Sequence, residues 1–355
     1  MTTIARRITG GVDTHLDVHV AAALDERGAQ LGVQSFPATA AGYSELLCWL
    51  EAFGILELVG VEGTGSYGAG LTRHLLDHQV AVVEVDRPNR QRRRRTGKSD
   101  PHDAVAAARA AQGGDATGSA KTRDGNVEAM RVLRVARRSA RGSRTQAINQ
   151  MRSLISTAPE ELRAELRDLS IYKVLTVTSA YRHTGRTDVT TVTKLTLRTL
   201  ARRALSLEEE VKDIDRLLKT LVAETAPELN AVDGVGTDVA SAILVAAGDN
   251  PERLKSESTF AKLCGVSPLD ASSGKQQRHR LNRSGDRQAN SALWHIVFTR
   301  MVCDPKTQHY IERRMPALHR APDEGRADQE GGDPLPQALR RSGGVRSAPT
   351  LTIRA

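Results

Sequence analysis

Four acidic residues in the first third of the chain are spaced so that an α/β fold would bring them to one end of a sheet. They are Asp13 in a short predicted strand, Glu62 at the end of an apolar run, and Asp100 and Asp103 at the start of an alanine-rich segment. Residues three apart on a helix share a face, so the last two carboxylates point the same way. Converging carboxylates repel one another unless cations lie between them, which predicts one or two magnesium ions. Paired ions of this kind serve to break phosphodiester bonds.

The order of the predicted elements around these acids narrows the fold class. Alternating apolar residues predict three strands over residues 8–36, with a hairpin turn that ends at Gly28. A helix that Thr39 can cap comes next. Strands and helices then alternate over residues 56–61, 67–78, 80–85 and 101–112. This β-β-β-α-β-α-β-α order, with acids on the first strand, the fourth strand and the final helix, is typical of the ribonuclease H-like arrangement.

Each acid also has a structural alternative. Asp13 could belong to a turn at the end of a strand, and Glu62 could cap the helix that follows it. Asp100 precedes Pro101 and could be the N-cap of a helix with proline at its first position. The apolar neighbours of Asp13, and the close approach that Gly11 permits, favour the metal-ligand interpretation.

The charge of the chain suits a polyanionic partner. Its 355 residues include 51 Lys and Arg against 42 Asp and Glu, a formal net charge of +9, although such a balance is not confined to nucleic-acid-binding proteins. No apolar run reaches about 18 residues and no signal peptide opens the chain, so we expect a cytoplasmic protein without a membrane partner. Cys48, Cys264 and Cys303 are far apart, which predicts buried free thiols. His74 and His78 have no third ligand nearby, and we expect them to serve packing.

From about residue 120 to 225 the pattern changes to long helices. Residues 126–158 and 195–223 repeat apolar positions at helical spacing, and the first run also carries six arginines. These are Arg131, Arg134, Arg137, Arg138, Arg141 and Arg144. Two such helices predict an antiparallel pair or a coiled-coil arm. Two interpretations of the arm remain open, a helical spacer and an arm that dimerises or grips RNA.

Two further patterns predict contact with nucleic acid. Residues 229–244 look like a helix-hairpin-helix, in which Gly234 and Gly236 precede a helix whose free amides can hold a phosphate. Two basic stretches accompany it, one beside the acids and one near the end of the chain. They comprise Arg92, Arg93, Arg94, Arg95 and Lys98 in the first, and Lys275, Arg283 and Arg287 in the second. A solvated loop is the alternative for the first stretch.

These residues together resemble a known family, the DEDD transposases of the insertion-sequence 110 family. The N-terminal motifs are Gly11-Val12-Asp13, Glu62-Gly63-Thr64-Gly65 and Lys98-Ser99-Asp100-x-x-Asp103-Ala104. The C-terminal motifs are Gly234-x-Gly236, Phe260 through Gly265-x-x-Pro268, Ser272-Ser273-Gly274 and Arg283-x-Gly285-x-Arg287. The resemblance covers residues 8–315, with both halves in the right order.

The resemblance implies a RuvC-like catalytic domain over residues 1–115, a coiled-coil arm over 120–225 and a mostly helical C-terminal transposase domain over 226–315. It implies a recombinase whose donor and target DNA are selected by a structured guide RNA encoded by the element. It also implies a serine nucleophile, Ser273, with Ser272 as the rival. The serine would attack a DNA phosphate and form a covalent link, while metal polarises that phosphate. Acids and serine lie in different domains and must be brought together by folding or across subunits, and the arm leads us to expect a homodimer or a homotetramer.

Two other classes of protein compete with this interpretation. A RuvC-like Holliday-junction nuclease would use water as its nucleophile and leave Ser273 idle. An actin-like ATPase or sugar kinase also begins with an acid on a β-meander, but it needs glycine-rich phosphate loops in a second lobe, and the helical C-terminal half supplies none. Covalent trapping of DNA separates the first two classes, and ATP turnover tests the third.

The tail departs from the pattern of the family it resembles. That family continues after a Tyr-x-x-Arg-Arg stretch, here at Tyr310, into a lysine-rich helix, whereas residues 329–339 of this chain hold two prolines and a glycine pair. One possible series of codons for residues 329–339, when it is read one base out of frame, encodes a lysine-rich helix of that type. We therefore hypothesise a frameshift between about residues 315 and 329. We predict that residues 316–355 are disordered or poorly packed, and that losing the helix exposes apolar surface on the C-terminal domain.

Overall fold

The computed structural model describes residues 6–85, 99–116, 118–182, 185–274 and 276–318. These residues form two compact units. The first contains the described residues up to 125 together with residues 247–257, and the second contains residues 126–246 and those from 258 onward. No helix in the described ranges is both long and apolar enough to span a membrane.

The first unit is built on a six-stranded mixed sheet. Its strands are β1 (Arg7–Thr14), β2 (Val18–Asp25), β3 (Gln30–Pro37), β4 (Ile55–Glu62), β5 (Val82–Val85) and β6 (Gly118–Ser119), and they lie in the order β3-β2-β1-β4-β5-β6. The first three strands form an antiparallel meander, whereas β4 pairs in parallel with both β1 and β5. The mixed α/β class is therefore confirmed, and so is the predicted order of elements up to residue 112.

Helices cover both faces of this sheet. They are α1 (Ala40–Glu51), α2 (Ala69–Asp77) and α3 (Asp100–Gln112). Helix α1 begins where Thr39 predicts, because the Thr39 side chain accepts a hydrogen bond from the Gly42 amide. Leucines of α1 and α2 pack with Val12 and Val61 on one face, while alanines of α3 pack with Ala22 and Leu24 on the other.

Two glycines let α3 lie directly on the sheet. A Cβ atom at Gly11 would lie 2.1 Å from the Ala108 nitrogen and 2.4 Å from the Ala104 oxygen. A Cβ atom at Gly60 would lie 2.6 Å from the Ala107 oxygen. No side chain fits in either place, so glycine on β1 and β4 fixes the distance between the helix and the sheet.

A segment from the second half of the chain completes the first unit. The Asn250 side chain donates a hydrogen bond of 2.9 Å to the Ala120 oxygen, which follows edge strand β6. The Arg253 side chain donates a hydrogen bond of 2.7 Å to the Ala247 carbonyl oxygen. Burial lowers the pKa of Arg253, and Glu84 on β5 opposes that shift. Residues 247–257 thus act as a strap on the first unit.

The second unit is helical. Its long helices α4 (Asn126–Ser156) and α7 (Val189–Thr225) run antiparallel, as predicted, and α5 (Glu160–Leu166) and α6 (Ile171–Ser179) pack with them around Met151. Ion pairs of 2.5 Å between Arg137 and Asp215, and of 3.1 Å between Arg144 and Glu208, join the long helices. The partner on α7 comes earlier in the sequence as the residue on α4 comes later, which is the register of an antiparallel pair.

Short elements follow the long pair. They are α8 (Pro227–Asn230), α9 (Thr237–Ala247), α10 (Glu257–Leu263), the hairpin of β7 (Leu269–Asp270) and β8 (His279–Arg280), α11 (Arg287–Cys303) and α12 (Pro305–Leu318). Helix α12 includes the first three residues of the predicted tail. The rest of the tail, with the proposed frameshift, lies outside the described residues.

The prediction of three buried thiols was wrong for two of them. Cys264 is buried, and burial raises its pKa to about 12, whereas Cys48 and Cys303 are exposed. Cys48 lies on the face of α1 opposite Leu46 and Leu50, and Cys303 is the last residue of α11. All three are free thiols, as the sequence predicts.

Candidate active site

The first two acids lie side by side at the end of the sheet. Gly11 pairs with Gly60 and Val12 with Val61, so Asp13 and Glu62 occupy the next position of the parallel ladder. Side chains alternate along a strand, so both carboxylates are on the face where Gly11 and Gly60 admit α3. The Thr14 hydroxyl donates a hydrogen bond of 2.7 Å to the Glu62 carbonyl oxygen, which joins the ends of the two strands.

The other two acids come from the first turn of α3, over the same end of the sheet. Asp103 is only 6 % exposed, and Asp100 is partly buried. The capping alternative for Asp100 was wrong, because the helix already includes Asp100 and its N-cap is Ser99. The helix simply begins one residue earlier than the proline position suggests.

The capping alternative for Glu62 is also wrong. Helix α2 begins only at Ala69, its N-cap is Gly68, and no side chain caps it. Glu62 is therefore separated from that helix by a turn that contains Gly63, where φ is +72°.

His15 joins the acids and was not among the predicted site residues. Its Nε2 atom lies 3.2 Å from Asp13 Oδ2 and 3.5 Å from Asp100 Oδ2. One ligand atom from each of these three residues lies within 4.8 Å of the others. A histidine two residues after the first acid was the only sequence indication, because the turn after β1, rather than a regular element, brings the imidazole back over the acids.

The electrostatics of the site favour a bound cation. Burial raises the pKa of Asp13, and the carboxylates of Asp103 and Asp100 raise it further against the opposing effect of His15. Asp13 Oδ2 is buried and makes no hydrogen bond among the described residues. A buried carboxylate oxygen without a donor, beside two more carboxylates, fits a divalent metal ion.

The serine loop is the β7–β8 hairpin in the second unit. Ser272 donates hydrogen bonds to Asp270 Oδ1 from both its amide and its hydroxyl, and its hydroxyl also accepts from the Arg278 amide at 3.2 Å. The backbone of Ser273 exchanges two 3.1 Å hydrogen bonds with Gln276, while its side chain is exposed. Gly274 has φ +58°, so the turn needs glycine there.

The predicted nucleic-acid residues are only partly within the described ranges. Gly234, with φ +83°, and Gly236 precede α9, as a helix-hairpin-helix requires. Arg283 and Arg287 are exposed. Arg92, Arg93, Arg94, Arg95, Lys98 and Lys275 lie outside the described residues.

The arm arginines fall into two groups. Four of them pair with carboxylates of their own unit, namely Arg131, Arg134, Arg137 and Arg144. Arg138 and Arg141 are exposed and form no ion pair within the described ranges. This second group has the exposure and the free charge that an outside partner requires.

A mixed sheet with acids at the ends of two parallel strands, joined by acids from a helix, defines a protein with an acidic cluster that could hold a metal ion. A DEDD transposase model of the IS110 type matches residues 10–159, and a model described as transposase of the IS116/IS110/IS902 family matches residues 226–312. The chain belongs to the IS110 family of transposases. That family implies DNA binding, DNA cleavage and rejoining, and the use of divalent metal. No curated protein matches the chain.

Proposed function

We propose that this transposase cleaves and rejoins DNA by attack of Ser273 on DNA phosphates, assisted by magnesium in a RuvC-like domain and guided by an RNA that its element encodes. The convergence of Asp13 and Asp100, with buried Asp103 on the same helix turn, carries the proposal. The sheet order and the position of α3 support the RuvC-like assignment.

The acids would hold the metal through their carboxylate oxygens. Asp13 and Glu62 offer ligands from the strand ends, and Asp100 and Asp103 offer them from α3. When bound, the ions supply positive charge to a phosphate whose negative charge grows during the reaction. The rigid contact of α3 with Gly11 and Gly60 keeps the two pairs of acids at a fixed separation.

Ser273 is the better nucleophile of the serine doublet. In the reaction its Oγ forms a bond to phosphorus, the bond to the 3′-oxygen breaks, and the proton of the hydroxyl is transferred to the departing 3′-oxygen. The Ser272 hydroxyl is held within the hairpin by Asp270 and Arg278. Those hydrogen bonds lower the pKa of Asp270, which makes it a weak base for activating Ser272. The exposed Ser273 side chain has no such restraint.

Exposed cations support the nucleic-acid partners. Arg138 and Arg141 on the arm, and Arg283 and Arg287 near the serine loop, are free to contact phosphates of DNA or of the guide RNA. Acids and serine belong to different units of the chain. We also propose that the helical arm favours a homodimer or a homotetramer.

Strand cleavage tests the metal half of this proposal. We expect Asp13→Asn and Asp103→Asn to abolish magnesium-dependent cleavage of labelled donor DNA, because each removes a charged ligand, while RNA binding stays close to that of the unsubstituted protein. Asp17→Asn is the matched control, since Asp17 is exposed and lies only four residues from Asp13. Magnesium-independent cleavage by Asp13→Asn would contradict the assignment.

A further inference from the structure

We propose that His15 is a nitrogen ligand of the acidic site and that it makes this site bind manganese(II) more tightly than magnesium, the ion named under the proposed function. The proposal rests on the metal position given under the proposed function, and it adds a residue and a metal preference that the four acids do not supply. Its observations are the position, the burial and the chemistry of one imidazole nitrogen.

The spacing of the three atoms suits a single ion. Adjacent ligands of an octahedral cation with bonds near 2.1 Å are roughly 3.0 Å apart. The distances from His15 Nε2, 3.2 Å to Asp13 Oδ2 and 3.5 Å to Asp100 Oδ2, are close to that length. A small inward movement of three side chains would bring three ligand atoms to bonding distance of one ion.

The burial of these atoms also indicates a missing partner. Asp13 is 6 % exposed, and both its Oδ2 atom and His15 Nε2 are buried without a hydrogen bond among the described residues. The two atoms lie within ion-pair distance of each other, and the His15 side chain as a whole is 38 % exposed. Burying polar atoms without hydrogen bonds costs about 1–3 kcal/mol each, and a bound metal ion would satisfy both atoms.

The nitrogen atom determines which metal the site prefers. Magnesium binds oxygen almost exclusively, keeps several waters and tolerates little departure from its ideal geometry. Imidazole nitrogen raises affinity for first-row transition ions over magnesium. Two carboxylates with one histidine therefore form a mixed set of oxygen and nitrogen ligands, which favours manganese(II) over magnesium. Manganese(II) is also paramagnetic, so its binding can be followed by spectroscopy.

The experiment uses the full-length protein and manganese(II) itself. Electron paramagnetic resonance counts bound manganese, pulsed measurements detect coupling to a ligand nitrogen-14, and magnesium serves as competitor. We expect nitrogen coupling in the unsubstituted protein and in His102→Ala, a control on the exposed histidine next to Asp103. His15→Ala should lose the coupling and bind manganese about tenfold more weakly or worse. His15→Asp should bind manganese without the coupling and lose the preference over magnesium.

The outcomes separate the two proposals. If manganese binds, Asp13→Asn releases it and nitrogen coupling is absent from the unsubstituted protein, the role of His15 is refuted while the acidic site stands. If Asp13→Asn leaves manganese binding unchanged, the position of the metal itself is wrong. If His15→Ala keeps both the coupling and the metal preference, another nitrogen is the ligand and our inference fails.

Discussion

Gly11→Ala should separate the two pairs of acids by moving the helix that carries one of them. The added methyl group would lie 2.1 Å from the Ala108 nitrogen, which is a backbone atom and cannot rotate away. To restore an ordinary contact near 3.5 Å, α3 must retreat by more than ~1 Å. Asp100 and Asp103 would retreat with it.

The expected magnitude follows from the rigidity of that contact. Overpacking a core by one methyl group costs about 1–3 kcal/mol, and a clash with helix backbone belongs at the upper end. For a cost of about 3 kcal/mol and a urea dependence of about 1–3 kcal/mol per molar, the unfolding midpoint falls by roughly 1–3 M. A displacement of about 1 Å at the reacting groups costs roughly a hundredfold in rate, even under conditions where the protein stays folded.

Tryptophan fluorescence can follow the first unit alone. The chain has 2 tryptophans: Trp49 packs against the core of the first unit, and Trp294 lies on α11. In a protein that carries Trp294→Phe, Trp49 is therefore the only reporter. Gly118→Ala is the matched control, because no atom lies within 3.7 Å of its added methyl group and we expect a change within about 0.5 kcal/mol. An unfolding midpoint for Gly11→Ala equal to that of the control would refute the argument that this glycine sets the position of α3.

Two further predictions concern the nucleophile and the dependence on pH. Ser273→Ala should eliminate the covalent protein–DNA species on denaturing gels while Ser272→Ala keeps it; the reverse pattern would make Ser272 the nucleophile, and normal cleavage by both variants would favour a hydrolytic nuclease. Burial lowers the pKa of His19, whose ring stacks on Tyr43 with the ring centres 5.6 Å apart. Below the ordinary histidine pKa of 6.5, the unfolded state therefore binds more protons than the folded state. The stability of the folded state consequently falls as the pH drops below that value. His19→Phe should flatten the loss of urea resistance between neutral pH and about pH 5, and an unchanged slope would show that His19 does not carry this dependence.

The sequence predicts the sheet and its acids because both depend on local patterns. Asp13 and Glu62 end apolar runs whose period is that of a strand, and Asp100 and Asp103 share a helical turn. His15 was missed because a turn, whose path depends on the whole sheet, brings it to the acids. Short-range patterns explain the first group, whereas tertiary geometry alone explains the second.

The same distinction accounts for the other differences. Proline at position 101 indicates a helix start, but whether Ser99 or Asp100 precedes the first turn depends on how α3 sits on Gly11. The strap of residues 247–257 has no local pattern that assigns it to the first unit, because its contacts with Ala120 and Glu84 are more than a hundred residues away in sequence.

The strap determines when the first unit can finish folding during synthesis of the chain. A ribosome releases residues 1–125 before residues 247–257, and at about 5–20 residues per second the interval is roughly 6–26 s. During that interval the sheet edge at β6 lacks Asn250 and the Glu84 side chain lacks Arg253. The domain with the acids therefore reaches its final form only after the arm and α9 have been synthesised. A truncated translation product would therefore carry the acids on an unfinished scaffold.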